Sequence, residues 1–459
     1  MAPEPLPHET SGIEWLSDPK RPRAMLADEA GLGKSMQMLG AAIEPVLIVA
    51  PAMVINSGTW DDEIATWAPG IDATQVPYSS IAQRGAKGSV PRDSNGFPLT
   101  PLKPEYRKRW GTVILDECHY IKGRKTSWAN AVLELRALNW YLATGTPIPN
   151  WAHEAFMPLR AIWPDKARAG HEYGSYWRWA NQWFEVNEKV YRQGARPSRE
   201  VGDLRTDRTW EEFRQENWGD RFLRRLRKDV LKDLPPLTMQ TWKTPMAGEQ
   251  LKVYKRLRKD FIAWLESGKE IAAWSEPGLL VMLAKLTTGL EVLDPTYRGA
   301  PTGKIKVLGE MLWSRDRQTL VVAHFRDSVD ACARASEAVG KKAGVVHGGV
   351  SSGARTEAIR AFQRGQIDTL CASILTISEG LTLHQGGADT VLRVERCATP
   401  SKNDQVIRRL HRIGQEWPVF CVDLETPGSY DSRLTKMLVG KTDQQIKALG
   451  DDILRELIV

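Results

Sequence analysis

The sequence predicts an α/β protein made of two parallel-sheet blocks with helical protrusions between and upon them. Three observations carry this. Short apolar runs recur at spacings that leave room for a helix between each pair. One series of runs closes near residue 143, and a second opens after residue 315. The stretch between them, roughly 151 to 300, turns to helix formers, aromatics and basic residues. Strands that alternate with helices run parallel and are covered on both faces, because each helix carries the chain back to the same end of the sheet.

In the first block the runs are "PVLIVAP" (45–51), "TVILDE" (112–117) and "NWYLA" (139–143), the last closed by "TGTP". In the second, "TLVVAH" (319–324), "AGVV" (343–346), "DTLCAS" (368–373), "DTVLRV" (389–394) and "VFCVDL" (419–424) read as strands. "DSVDACARASEAV" (327–339) and "SGARTEAIRAFQRG" (352–365) read as the helices among them. Between the blocks, seven of the eighteen tryptophans fall from Trp151 to Trp218. Such spacing fits the buried faces of amphipathic helices, with stacking on exposed bases as the alternative. The charged stretch "YRQGARPSREVGDLRTDRT" (191–209) is expected to be a loop. The 459 residues suffice for two large domains. The expected division is 1–240, with a protrusion at about 151–240, and 241–459, with a protrusion at about 245–300 ahead of the second block at about 301–459.

Composition narrows the function classes. The net charge of +7 fits a polyanionic partner without requiring one. Five cysteines stand singly with no C-x-x-C pair, so neither a zinc knuckle nor a disulfide framework is expected, and a reducing, intracellular setting is. The N-terminus lacks a basic run followed by an apolar one, so no signal peptide is expected. No apolar run approaches the roughly 18 residues of a membrane span.

Four elements carry the chemistry. "ADEAGLGKS" (27–35) lies between an apolar "AML" and a helical pattern. A glycine-rich turn entering a helix points backbone N–H groups at an anion, Lys34 can reach outer phosphates, and the Ser35 hydroxyl suits Mg²⁺. The strict phosphate-loop pattern has a leading glycine where this chain has Asp28, and a helix cap with an exposed lysine is the alternative for this stretch alone. Second, "ILDECHY" (114–120) ends an apolar strand in two acids. Asp116 suits Mg²⁺, Glu117 suits positioning or deprotonating an attacking water, and His119 suits a hydrogen-bonding relay; a solvated strand end is the alternative. Third, "ATGTPIPN" (143–150) places Thr144 and Thr146 where they can contact the surroundings of Glu117. Fourth, if "QVIRRLHRIGQ" (405–415) is helical, Gln405, Arg409 and Arg412 share one face and suit phosphate oxygens. A solvated basic face is the alternative there.

Together, "DEAGLGKS", "DECH", "TGTPIPN", "HGGV" (347–350), "EGLTL" (379–383) and "QVIRRLHRIGQ" resemble the helicase-like motors of superfamily two. The "HRIGQ" ending (411–415) and "FLRRLRKDVLKDLPP" (222–236) are similar to the Swi/Snf-type DNA translocases, and the texture is closest to their compact, annealing-helicase-like or phage and bacterial branch. "GIEWL" (12–16) and "TGKIKVLGEML" (302–312) also look like family landmarks. The resemblance covers nearly the whole chain. It implies two RecA-like lobes, ATP with Mg²⁺ in the cleft, and duplex DNA, forked or branched DNA included, across both lobes. It implies that Asp28, Glu29, Ala30, Gly31, Leu32, Gly33, Lys34 and Ser35 form the nucleotide loop, with Glu9 on the base side. It implies that Asp116 and Ser35 serve the metal, that Glu117 serves the water, and that Arg409, Arg412 and Gln405 act on the phosphates. Arg224, Arg225, Arg227 and Lys228 are candidate DNA contacts. Asp28 is ordinary for this family. Two positions depart from its pattern: Glu9 replaces an adenine-contacting glutamine, and Ala398 replaces a tryptophan. A monomer is expected, in the cytoplasm or nucleoid of a prokaryotic or phage-infected cell, or in the nucleus of a eukaryotic one. The function that follows is an ATP-dependent double-stranded DNA translocase. A strand-separating or annealing helicase is the alternative, and an inactive DNA-binding scaffold a third.

Overall fold

The computed structural model describes residues 4–83, 102–168, 170–189, 198–231, 234–267, 276–298, 301–377 and 381–450. Two compact units divide the chain: Met1–Lys232 with Gln444–Asp452, and Asp233–Asp443 with Ile453–Val459.

The first unit contains β1 (Arg23–Leu26), β2 (Val46–Ala50), β3 (Ala73–Pro77), β4 (Arg109–Leu115), β5 (Arg136–Ala143), β6 (Phe184–Lys189), β7 (Ser198–Leu204) and β8 (Phe222–Leu223). Six of them form one parallel sheet in the order β3-β2-β4-β5-β1-β8. Every residue of β2, "VLIVA", is buried, as the continuous apolar run requires of a strand covered on both faces. The order matters for chemistry. β4, β5 and β1 are neighbours, with Leu115 opposite Leu142 and Ala143 opposite Leu26. Their C-terminal ends therefore deliver "DECH", "TGT" and the glycine-rich loop to one edge of the sheet, where parallel α/β proteins place ligands.

The second unit contains β9 (Leu237–Lys243), β10 (Thr319–Ala323), β11 (Ala343–Val346), β12 (Thr369–Ser373), β13 (Thr390–Arg393) and β14 (Val419–Glu425). They form a parallel sheet in the order β11-β12-β10-β13-β14-β9. The helices Arg326–Ala338 and Ser352–Gln363 fall where periodicity puts them. β9 pairs with β14 along its whole length, so a division at 240/241 would cut a strand of the second sheet. The helices Gly248–Ser267 and Glu276–Thr288 follow it and pack through Tyr254, Leu283, Leu286 and Leu290.

Six of the seven tryptophans from 151 to 218, all but Trp151, pack into or against the first unit's core. Trp179 and Trp183 are fully buried, and Trp179 sits 5.4 Å from Phe156 and 5.5 Å from Phe184 between ring centroids. Its Nε1–H donates to Asn217 Oδ1 at 2.8 Å, so the one polar atom of the ring is satisfied. Trp179→Ala is expected to lower unfolding free energy by about 3–5 kcal/mol, read from urea denaturation of the two proteins; a loss below about 1 kcal/mol would refute this assignment. The expected loop at 191–209 departs from the sequence reading. Ser198–Leu204 is a strand, paired antiparallel with β6, because Val186 meets Val201 and Arg199 pairs with Glu188 at 3.0 Å across the hairpin. Residues 190–197 lie outside the described residues, as does the start of "EGLTL". Among the described residues, no helix is long and apolar enough to cross a membrane.

Candidate nucleotide site

The glycine-rich loop leaves β1 and enters the short helix Lys34–Gly40. Gly31 and Gly33 both take positive φ, 85° and 67°, which a side chain disfavours. At Gly33 a Cβ would also stand 2.0 Å from Glu9 Oε1. Glycine therefore admits both the turn and the Glu9 carboxylate beside it. That carboxylate is oriented by the Leu6 N–H, which donates to Oε2 at 2.8 Å, at the start of the helix Pro7–Leu16. Lys34 folds back over the loop, its ammonium donating to the carbonyls of Asp28 and Glu29 at 2.9 and 3.1 Å. Burial lowers the pKa of this ammonium, against the charges of Glu117, Asp28 and Asp116.

"DECH" is held from several elements. Trp60 Nε1–H donates to Asp116 Oδ2 at 3.1 Å, and the Glu117 N–H donates to Oδ1 at 2.9 Å. Tyr78 donates its hydroxyl to the Asp116 carbonyl at 2.9 Å. Burial, and then the Glu117 charge, push the Asp116 carboxyl well above the usual carboxylate range. Glu117 has φ +47°, the positive-φ non-glycine among the described residues. Such backbone costs of order 1–3 kcal/mol and persists where neighbours impose it. The neighbours here are Thr144, whose hydroxyl donates to Glu117 Oε2 at 3.0 Å, and His119, whose Nδ1 lies 3.1 Å from the same oxygen. His119 Nδ1 is also 3.0 Å from Thr144 Oγ1, which accepts the Thr146 N–H at 3.0 Å. Burial would raise the Glu117 pKa. The His119 hydrogen bond and charge, with Lys34 and Thr144, outweigh it and hold the carboxylate ionised. At Gly145 a Cβ would lie 3.3 Å from the Ala30 nitrogen, so the "TGT" turn lies close against the glycine-rich loop. One ring of contacts thus joins "TGT" to both other motifs.

These residues fit Mg²⁺ and a nucleotide. Mg²⁺ keeps several waters and takes one or two protein oxygens plus phosphates. A single half-buried acid, Asp116, with the Ser35 hydroxyl supplies that set. Among the described residues there is no cluster of three or more His, Cys, Asp or Glu that would make an all-protein metal cage.

Asp28 and Glu29 turn their side chains away from the loop's open side. Asp28 is fully buried, and its oxygens accept from Arg225 N (2.9 Å), Arg225 Nε (3.1 Å) and Gln37 Nε2 (3.4 Å). Glu29 Oε2 accepts the Arg227 N–H at 2.8 Å. Arg224 Nη1 donates to the Ala27 carbonyl at 2.7 Å. Of the run 224–228, the guanidinium groups of Arg224 and Arg225 and the buried Arg227 therefore face the nucleotide loop, while Lys228 is exposed.

In the second unit the helix Pro400–Ile407 stops inside "QVIRRLHRIGQ". Beyond it Arg409 N bonds Val406 O and Leu410 N bonds Ile407 O, three residues back rather than four, so the chain tightens and leaves the helix. Gln405 is buried in the helix, whereas Arg409 and Arg412 lie on the turns after it. The two arginines nonetheless converge: each Nη1 donates to the Leu381 carbonyl, at 3.2 and 3.4 Å, and Arg412 Nη1 also to Thr382 Oγ1 at 2.6 Å. Burial lowers the Arg412 pKa without threatening its charge. Trp60 and Tyr78 escaped the motif reading, and Arg225 was read there only as a DNA contact, because their roles at the loop arise from distant segments brought together by the fold; Gln37, in the helix after the loop, was passed over because a lone glutamine carries no motif.

The chain matches known families in two places: the SNF2-related domain over residues 101–287 and the Helicase conserved C-terminal domain over residues 303–414. It is 28% identical over 459 residues to the DNA annealing helicase and endonuclease ZRANB3 of Homo sapiens, covering 94% of this chain and 39% of that protein. It is 24% identical over 467 residues to the human SWI/SNF-related matrix-associated actin-dependent regulator of chromatin subfamily A member 1, covering 94% of this chain and 42% of that one. YwqA of Bacillus subtilis is 24% identical over 483 residues, covering 98% of this chain and 48% of YwqA. The chain thus spans less than half the length of these relatives. Two tandem parallel α/β sheets, the motif order along them and both family matches agree: the chain belongs to the Swi/Snf-type helicase-like ATPases of superfamily two.

Proposed function

We propose that the chain is an ATP-driven motor that moves along or remodels double-stranded DNA. The observation that carries this is the ring at the ends of β4, β5 and β1. There an ionised Glu117, held by Thr144 and His119, shares one sheet edge with Lys34 and its glycine-rich loop. In this reading Lys34 and the loop amides bind the ATP phosphates, and Ser35 with Asp116 holds Mg²⁺. The metal, when bound, would neutralise phosphate charge. Glu117 orients the water and takes up its proton, and Thr144 signals the state of that carboxylate to the following turn. Arg409 and Arg412, with Gln405, act on the phosphates during turnover. Glu9 lies on the base side of the loop, and Lys228 is a candidate backbone contact for DNA.

Binding should be mainly to phosphates, indifferent to sequence and weakened by salt. ATP hydrolysis measured alone, with duplex DNA and with RNA tests the proposal. Stimulation by duplex DNA that fades as salt rises is expected; stimulation by RNA alone would sink it. A second reading, annealing of separated strands, is favoured by the likeness to ZRANB3. A strand-annealing assay beside a strand-displacement assay on forked duplex separates it from translocation alone. The working form is proposed to be a monomer in the nucleic-acid compartment of the cell.

A further inference from the structure

Arg225 ties together the entry of the nucleotide loop, the helix that follows it and the helix that carries Glu9. Its Nε and backbone N–H hold Asp28 at the loop's entry, at 3.1 and 2.9 Å, and Nη2 also donates to Asp28 Oδ2. Nη2 donates to Gln37 Oε1 at 2.6 Å, and Gln37 Nε2 donates in turn to the Leu32 carbonyl at 2.6 Å, near the loop's exit. Nη1 reaches Ser11 Oγ at 3.1 Å and the His8 carbonyl, both on the helix that carries Glu9. Asp28 and Gln37 are completely buried while the Arg225 side chain keeps a small exposure, so a buried carboxylate is paired with a partly buried guanidinium by charge-assisted hydrogen bonds. The backbone continues the tie: Ala27 N donates to Leu223 O at 2.7 Å, Glu29 N to Arg225 O at 3.1 Å, and Arg227 N to Glu29 Oε2 at 2.8 Å. The pairing of β1 with β8 thus extends past both strands, rung by rung, along the first residues of the loop.

Lys34 gives this arrangement a function. Its ammonium rests on the carbonyls of Asp28 and Glu29, the two residues that the 223–227 segment fixes. We infer that Arg225 is a positioning residue of the nucleotide site: through Asp28 and Gln37 it sets the resting place of the Lys34 ammonium and the spacing between the loop and the Glu9 helix. The segment that bears Arg225 belongs to the last stretch of the first unit's longer span, so the loop is braced by residues nearly two hundred positions further along the chain. Asp28, standing where a strict phosphate loop has glycine, is the anchor of this brace. The inference rests on the nucleotide-binding reading above.

The test uses Arg225→Met, Asp28→Asn and the double variant, with two readouts. Hydrogen exchange of the nucleotide-free protein reads the loop directly. The dissociation constant of a fluorescent ATP analogue and the split of ATPase KM from kcat read its use. Arg225→Met is expected to speed exchange at residues 29–35 about tenfold or more while β2 is unchanged. It is expected to raise the dissociation constant and KM by about tenfold, the scale of losing charge-assisted hydrogen bonds, with a smaller change in kcat. Lysine cannot reproduce the fork, so Arg225→Lys recovers only part of the loss. The double variant should be no worse than the worse single, since both act through one contact. It also leaves no lone buried charge, and keeps the test available if Arg225→Met does not fold. A folded variant with unchanged exchange at 29–35 and unchanged KM would overturn the inference, whatever its melting temperature. Absence of DNA-stimulated hydrolysis in the parent would remove the motor reading instead, and leave the exchange result to decide the role of Arg225.

Discussion

Glu117→Gln is expected to cut ATP turnover by about 10²–10⁴-fold, the range for loss of a positioned general base, while nucleotide binding is retained. The amide keeps the shape of the side chain, and its oxygen can still accept from Thr144. What it loses is the negative charge. In the parent that charge survives burial because His119, Lys34 and Thr144 all favour the ionised form. Ionisation is what a proton-accepting group needs; a neutral amide in the same place can orient water but not take up its proton. The strained φ of +47° is held by the same partners, Thr144 and His119, that favour the ionised carboxylate. Steady-state kcat with saturating duplex DNA, beside the dissociation constant of a fluorescent ATP analogue, checks the expectation. A parent that hydrolyses ATP no faster than the variant would leave a DNA-binding scaffold as the surviving reading.

How much of this was legible in the sequence depends on whether the information was local. β2 and β10 are buried on both faces and read as unbroken apolar runs. β1 with four residues and β8 with two are too short to show a period; neighbouring strands define them. The four chemical motifs were legible because each is a contiguous stretch beside a strand or helix end. Their supports were not. Trp60 reaches Asp116 across 56 positions and Arg225 reaches Asp28 across 197, and nothing near either residue announces the partner. The run 222–228 shows the cost of local reading. A row of basic residues suggests a polyanion, yet two buried carboxylates, Asp28 and Glu29, already face it. Ser198–Leu204 likewise looked like a loop from its charge, but as half of a hairpin it needs to bury only alternate positions.

Arg412→Ala and Arg409→Ala should each reduce ATP turnover by about 10³–10⁵-fold, the effect of removing a phosphate-directed arginine from this class of site. The helix ends at Ile407, so the two residues are not aligned as a helical face. Their convergence comes instead from the segment 381–382: the Leu381 carbonyl accepts Nη1 of both arginines, and the Thr382 hydroxyl accepts that of Arg412. Those contacts use Nη1 of each fork, and a guanidinium has five donors. Arg412 can thus stay anchored at Thr382 while its remaining N–H groups engage phosphate oxygens, which is pre-organisation rather than competition. Two consequences separate this from a structural role. Lysine at 412 should recover little, because a point charge cannot keep the anchor and pair with phosphate in the same plane. Thr382→Ala should cost far less than Arg412→Ala, since it removes the anchor and leaves the charge. If instead Thr382→Ala and Arg412→Ala were equally damaging, and Arg409→Ala cost under tenfold, the arginines would belong to the architecture of the 381–382 segment and the phosphate role would fall.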